Sequence, residues 1–194
     1  MPWNIDTDTR HYTLVCASPN PVSISRIGTQ AVAAHLKMHG VPAQTFDLQD
    51  FPPLWMRKDT QETLPAPWTD LRTSVQSAQA LIVCGPVYYY DAGSPYNILM
   101  EALGPSLAWK PVLLCAAAGS LRSHLAIGAL MQNLIFEHSS FVYPQSVLVT
   151  KDDLETETTF KPGVIDRFTQ ALDGFAAFAT ATAGLHVNDP ELAS

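Results

Sequence analysis

The sequence predicts an α/β fold in three layers: a doubly wound, five-stranded parallel sheet of order 2-1-3-4-5 with helices on both faces. Two features carry this. Short apolar runs alternate with longer stretches of helical period, in the order βαβαβαβαβα. That alternation specifies parallel strands joined by right-handed helical crossovers. Three of the runs are apolar without alternation, as strands covered on both faces must be. At 194 residues the chain makes one domain, given about 100–200 residues per domain. Its core is expected over 12–183 and a loose tail over 186–194.

The elements follow in order. Tyr12-Thr13-Leu14-Val15-Cys16 is the first strand. Ile24, Ile27, Ala31, Ala34 and Met38 recur at helical spacing, and Gly40 and Pro42 close that helix. Ala43 to Leu48 is a weaker second strand that runs into an acidic, aromatic loop. Trp68, Leu71, Val75 and Ala78 stripe a second helix, and Ala80-Leu81-Ile82-Val83-Cys84 is the third strand. Ile98, Met100 and Leu103 suggest a short helix before the fourth strand, Pro111-Val112-Leu113-Leu114-Cys115. From Ser123 to Phe136 the chain is apolar nearly all round. The fifth strand, Phe141 to Val149, is broken by Pro144. Lys151–Thr159 is a polar loop, and Val164, Ile165, Phe168, Leu172 and Phe175 mark a last amphipathic helix.

Composition excludes several functions. With 47% hydrophobic and 15% charged residues the chain is not disordered. Its net charge is −7, and eleven Lys and Arg are too scattered to form a basic patch, so no nucleic-acid partner is expected. No apolar run reaches the 18–20 residues that span a bilayer, so no membrane partner is expected either. Met1–Arg10 is polar and carries acids, unlike a signal peptide. Three cysteines, an odd number, make no disulfide framework, and a cytoplasmic location follows.

In a sheet of this order ligands bind beyond the carboxyl ends of the strands, where the strand order reverses. The loops after strands one, three and four should therefore hold the chemistry. The first reads Ala17-Ser18-Pro19-Asn20-Pro21-Val22-Ser23-Ile24-Ser25-Arg26. Serines and an arginine at a helix start suit a phosphate; Ser23 or Ser25 can equally be a plain N-cap. The Gly-rich fingerprints of triphosphate and dinucleotide sites are absent. The second loop reads Gly85-Pro86-Val87-Tyr88-Tyr89-Tyr90-Asp91-Ala92-Gly93-Ser94-Pro95. Three tyrosines in a turn suit stacking on a flat conjugated ligand, or a subunit contact. The third, Ala116-Ala117-Ala118-Gly119-Ser120-Leu121-Arg122-Ser123-His124, lets backbone approach a ligand closely, or is a simple turn.

Taken together and in order, these loops resemble the NADPH-dependent FMN reductases of the flavodoxin-like group, whose relatives reduce quinones, chromate and azo compounds. The matching motifs are Ala17-Ser18-Pro19-Asn20 with Ser23 to Arg26, then Pro86-Val87-Tyr88, then Lys110-Pro111-Val112 with Ala118-Gly119-Ser120. They cover about residues 12–150. Ala17 stands where the family has glycine and Asn20 where it usually has arginine. The resemblance implies an FMN phosphate on Ser18, Asn20, Ser23, Ser25 and Arg26. It implies a flavin ring between Pro86, Val87, Tyr88 and Tyr89 on one side and Ala118, Gly119 and Ser120 on the other. NADPH or NADH would be co-substrate, and a quinone, free flavin or similar small molecule the acceptor, in a ping-pong cycle. No catalytic side chain is required, because the flavin does the redox work. The residues alone also admit a flavodoxin-like module that has lost its flavin, or a phosphate-ester or thiol-dependent enzyme.

Other residues have side chains capable of chemistry. Cys16, Cys84 and Cys115 each end a strand, and buried free cysteine behaves as a small apolar residue. His35 and His39 stand four apart, a spacing that suits zinc, but the sequence offers no third ligand and no metal is expected. His124 lies beside the third loop as a surface or cap residue. Asp47, Asp50 and Asp59 read as solvated loop charges. Finally, a helix on a sheet needs an apolar stripe of only about 100°, so some of Ile127, Leu130, Met131, Leu134 and Ile135 are surplus. With Ile98, Leu99, Met100 and Leu103 they point to a homodimer or homotetramer through the helices near 96–104 and 123–136.

Overall fold

Residues 11–56 and 63–185 are described by the computed structural model. The expected tail over 186–194, the polar start and Asp59 lie outside them. Seven strands and five α-helices follow one another as β1 (Tyr12–Cys16), α1 (Ile24–Met38), β2 (Ala43–Asp47), α2 (Ala66–Ser77), β3 (Ala80–Tyr88), β4 (Asp91–Ala92), α3 (Ser94–Leu103), β5 (Pro111–Ala118), α4 (Gly128–Phe136), β6 (Phe141–Val142), β7 (Val147–Thr150) and α5 (Pro162–Thr182), among the described residues. The parallel sheet runs β2-β1-β3-β5, and β6 and β7 both pair with β5. This is the expected order with its fifth strand in two pieces. Pro144 has no N–H to give a ladder, so pairing stops at Val142 and resumes at Val147. A short antiparallel strand, β4, is the other addition.

Period-two alternation divides the sheet's side chains between two cores. On one face Val15, Leu81, Val83, Val112 and Leu114 meet α2, α3 and α4 through Trp68, Leu71, Leu99, Leu103 and Leu130. On the other Tyr12, Leu14, Ile82, Leu113 and Cys115 meet α1 and α5 through Val32, Leu36, Phe168, Leu172 and Phe175. All five residues of β1 are buried, as a strand covered on both faces should be.

Two expectations about helix faces are corrected. The buried row of α1 is Ser25, Gly28, Thr29, Val32, His35 and Leu36, whereas Met38 is 72% exposed. Half of that row is Ser, Gly and Thr, small residues that let a helix lie close on the sheet, and an apolar stripe does not register them. The segment from Ser123 is not one helix either. A 3₁₀ turn, Leu121–Leu125, precedes α4. Ile127, Leu130 and Leu134 are buried in the core, so they are not surplus; the exposed apolar side chains are Leu121, Leu125, Ile135 and Phe136. No helix of the described residues is long and apolar enough to cross a membrane.

Candidate active site

The end of β1 stands level with the middle of β3 and β5, which run on past it to Tyr88 and Ala118. Cys16 pairs with Cys84 and Cys84 with Cys115, so the loops after β1, β3 and β5 leave the sheet side by side. Pairing continues through Gly85–Ala116 and Pro86–Ala117, which holds the last two loops in contact range.

In the first loop, Ala17 and Ser18 are buried while residues 19–22 are exposed. Ala17 N–H donates to the Cys84 carbonyl at 2.7 Å, which fixes where the loop departs. Ser23 is the N-cap of α1 in an extended conformation, yet its side chain makes no capping bond, and no acid occupies the first turn. Arg26 N–H and Ile27 N–H donate to the Ser23 carbonyl, so the N–H groups of Ile24 and Ser25 are the ones that Ser23 leaves uncapped, at a helix end of the kind that takes anions. Ser25 differs from its expected role: its side chain is buried and its Oγ has no hydrogen-bond partner among the described residues.

Arg26 is also placed differently. Its Nε donates to Asp47 Oδ2 at 2.5 Å and its Nη2 to Asp47 Oδ1 at 2.9 Å. The remaining donors reach the carbonyls of Asn20 (2.7 Å), Pro21 (2.8 Å) and Ser18 (3.2 Å). A guanidinium has five N–H donors, and all five are engaged within the loop and with Asp47. Asp47 arrives because β2 pairs it with Cys16. Burial alone would raise its carboxyl, but Arg26 and the Gln49 N–H hold it below the usual carboxylate range. Arg26 therefore shapes the loop from beneath, with its charge neutralised, and Asp47 is no solvated loop charge.

The second loop is a hairpin. Val87 pairs with Ala92 and Tyr88 with Asp91, so Tyr89 and Tyr90 form a two-residue turn. Their φ values are +52° and +63°, the left-handed pair of a type I′ turn, normally Asn-Gly. Tyr89 is fully exposed and Tyr90 66% exposed. Tyr88 lies back against Gly93, where a Cβ would come within 2.8 Å of its ring. Its hydroxyl accepts a hydrogen bond from Asn20 Nδ2 at 3.1 Å, which joins the first loop to the second.

Sequence reasoning missed Tyr96. It is fully buried beneath Gly85, where a Cβ would meet its ring at 2.5 Å. Its hydroxyl donates to the Cys115 carbonyl. Tyr96 thus ties the start of α3 to β5 directly under the loops. In the third loop Ala118 is buried and pairs with Thr150; Gly119 is exposed and Ser120 half-buried. Ser120 is extended and makes no side-chain cap. His124 is exposed, its Nδ1 3.2 Å from the Leu121 carbonyl, as a cap residue would be.

An apolar cleft of about 300 Å³ adjoins the first loop, lined among others by Pro19, Phe51, Trp55, Pro95 and Ile98. Trp68 braces it, with Nε1 donating to the Pro52 carbonyl at 3.1 Å and its ring edge-on to Phe51. The aromatic loop after the second strand was its only sign in the sequence. A larger hollow of about 600 Å³, lined by Arg72, Trp109 and Lys110 among others, lies at the opposite end of the strands. Of the three cysteines only Cys16 ends its strand; Cys84 and Cys115 lie inside β3 and β5, which run on past them, in the core that α1 and α5 cover. Burial pushes Cys16 up to about 11. A hydrogen bond with Cys115, together with burial, holds Cys84 well above its ordinary range. Cys16 and Cys84 are thus held toward the protonated thiol, unlike the thiolate a nucleophile needs.

A helix start without a side-chain cap, a tyrosine hairpin and a small-residue loop lie at the switch point of a parallel sheet, where mononucleotide ligands of doubly wound folds bind. The family model described as NADPH-dependent FMN reductase matches residues 12–153, and the chain belongs to that family. It is accordingly a flavin-dependent NAD(P)H oxidoreductase, with FMN as cofactor and NAD(P)H as co-substrate. No curated protein sequence matches it. Among solved structures it is similar to the apo form of the NADH:FMN oxidoreductase EmoB, with TM-score 0.77 and 19% identity over 96% of this chain and 100% of that one. An oxidoreductase from Corynebacterium diphtheriae gives 0.72 and 17%, covering 90% and 99%. The flavoenzyme FerB from Paracoccus denitrificans gives 0.70 and 12%, also covering 90% and 99%. At these identities the likeness is one of fold.

Proposed function

We propose that the three loops hold FMN and that the enzyme passes electrons from NADPH or NADH to a quinone, free flavin or similar small acceptor. The observation that carries this is the first turn of α1, uncapped by any side chain with Ser23 beside it, in the loop that follows β1 next to β3 and β5 in the sheet. Ser18, Asn20, Ser23 and the main-chain N–H groups from Ile24 and Ser25 hold the phosphate. Arg26 keeps the carbonyls of Ser18, Asn20 and Pro21 turned away from it, so the loop offers donors rather than acceptors. Pro86, Val87, Tyr88 and Tyr89 form one wall for the ring, and Ala118, Gly119 and Ser120 the other. Bound there, the flavin supplies the hydride chemistry in a ping-pong order. The apolar cleft by Trp55 and Ile98 admits an apolar acceptor.

Purified protein should bind added FMN at micromolar concentration and oxidise NAD(P)H faster than free FMN does with the same quinone. A chain that does neither is instead a flavin-free module of the same fold, a reading that the engagement of Arg26 with Asp47 favours. Cytoplasmic residence is part of the proposal, supported by three free cysteines. So is a homodimer or homotetramer, now through Leu125, Ile135 and Phe136, which are exposed and too apolar to stay so. Sedimentation at low micromolar concentration tests it; a stable 21.1 kDa monomer overturns the assembly.

A further inference from the structure

We propose that His35, His39 and Asp173 form a binding site for a divalent transition metal, zinc above all, that clamps α1 to α5. The pair of histidines had the right spacing but lacked a third ligand; α5 supplies it. The imidazoles lie side by side at the C-terminal end of α1, with ring centroids 4.5 Å apart and planes tilted by 43°. Asp173 Oδ1 lies 3.3 Å from His35 Nε2. One ligand atom from each of the three residues falls within 4.8 Å of the others. Around zinc, with bonds of about 2.0–2.2 Å, tetrahedral donors sit roughly 3.3 Å apart. His39 is exposed, so rotation of its ring closes the difference without disturbing the core.

The donor set selects the metal. Two imidazoles and one carboxylate suit zinc and its first-row neighbours, not magnesium or calcium, which take oxygen. Burial graded from His35 through Asp173 to His39 gives a fixed ligand on the inside and an open, solvent-facing coordination position on the outside. Metal insertion replaces the His35–Asp173 contact with bonds from both. The site sits eleven residues along α1 from its first turn, about 16 Å at 1.5 Å per residue. It is thus separate from the flavin loops, yet on the helix that carries the phosphate cradle.

The test uses the full chain after EDTA treatment, titrated with zinc chloride alone. Calorimetry should give one zinc per chain, and the melting temperature should rise with zinc concentration, as for any ligand of the native state. His39→Ala, at an exposed position, should leave the metal-free melting temperature and FMN affinity unchanged while weakening zinc at least tenfold. Asp173→Asn should weaken it as well and keep the size of the side chain. Absence of binding at about 100 µM zinc overturns the proposal. So does zinc binding that His39→Ala leaves intact.

Discussion

Asn20 Nδ2 donates to the Tyr88 hydroxyl at 3.1 Å, across 68 residues of chain. The bond fastens the loop after β1 to the tyrosine hairpin, at a position where the family resemblance leads one to expect arginine. Because Arg26 is neutralised by Asp47, the cradle relies on neutral donors. Asn20→Arg should therefore tighten FMN several-fold and make binding depend on salt, since a phosphate pair is screened over about 10 Å at 0.1 M. Flavin fluorescence titrations at low and high salt measure both effects. An affinity that does not change would place the phosphate elsewhere.

Arg26→Ala should be costly out of proportion to its place at the surface. It strips three carbonyls of their donor and leaves Asp47 without its cation, a loss of about 2–3 kcal/mol for hydrogen bonds to charged groups. Arg26→Lys should recover little, because an ammonium has no fork. Denaturant midpoints decide the ranking.

Asp47 also gives the stability a sign with pH. Its folded carboxyl is held below the ordinary range, so its contribution is present above the unfolded value of about 3.9 and lost as pH falls through the folded one. Asp47→Asn should flatten the decline in melting temperature below about pH 4. An acid limb as steep as that of the wild type would contradict the pairing.

Removing Ser18 and Ser23 hydroxyls together, as Ser18→Ala with Ser23→Ala, should weaken FMN far more than riboflavin. A hydrogen bond to a charged group is worth about 1.5–3 kcal/mol, so tenfold per hydroxyl is the least to expect. Parallel titrations of the two flavins read the difference directly, and equal losses would reject the assignment.

The hairpin turn carries strain where a ligand would pass. Two non-glycine residues at φ +52° and +63° cost roughly 1–2 kcal/mol each. Tyr89→Asn with Tyr90→Gly should raise the melting temperature. The same variant should lower kcat/KM for the acceptor if the exposed rings guide it, a trade of stability against function. A gain in both would make the tyrosines dispensable to the reaction.

The loops were legible because turn chemistry is local: Pro86 and Tyr88, or Gly119 and Ser120, announce themselves over a few residues. What tertiary pairing creates was not. Asp47 looked solvated because nothing near it in sequence is basic; only the register of β2 on β1 brings it to Arg26. The buried face of α1 was misread because Ser25, Gly28 and Thr29 are chosen for smallness, not hydrophobicity. Tyr96 looked like any helix-start residue until Gly85 made room for its ring. Asp173 is 134 positions beyond His39 in sequence, and only the packing of α5 on α1 makes them neighbours.

Pro144 leaves one margin of the sheet as two short ribbons, two residues in β6 and four in β7. A foreign strand laid alongside would find its ladder interrupted after a few bonds. Natural sheets blunt their free borders in such ways to avoid templating aggregation. The opposite border, β2, offers Gln44, Thr45 and Asp47 instead of an apolar row. Among the described residues, copies of this chain thus have little means of growing sheet to sheet into fibrils.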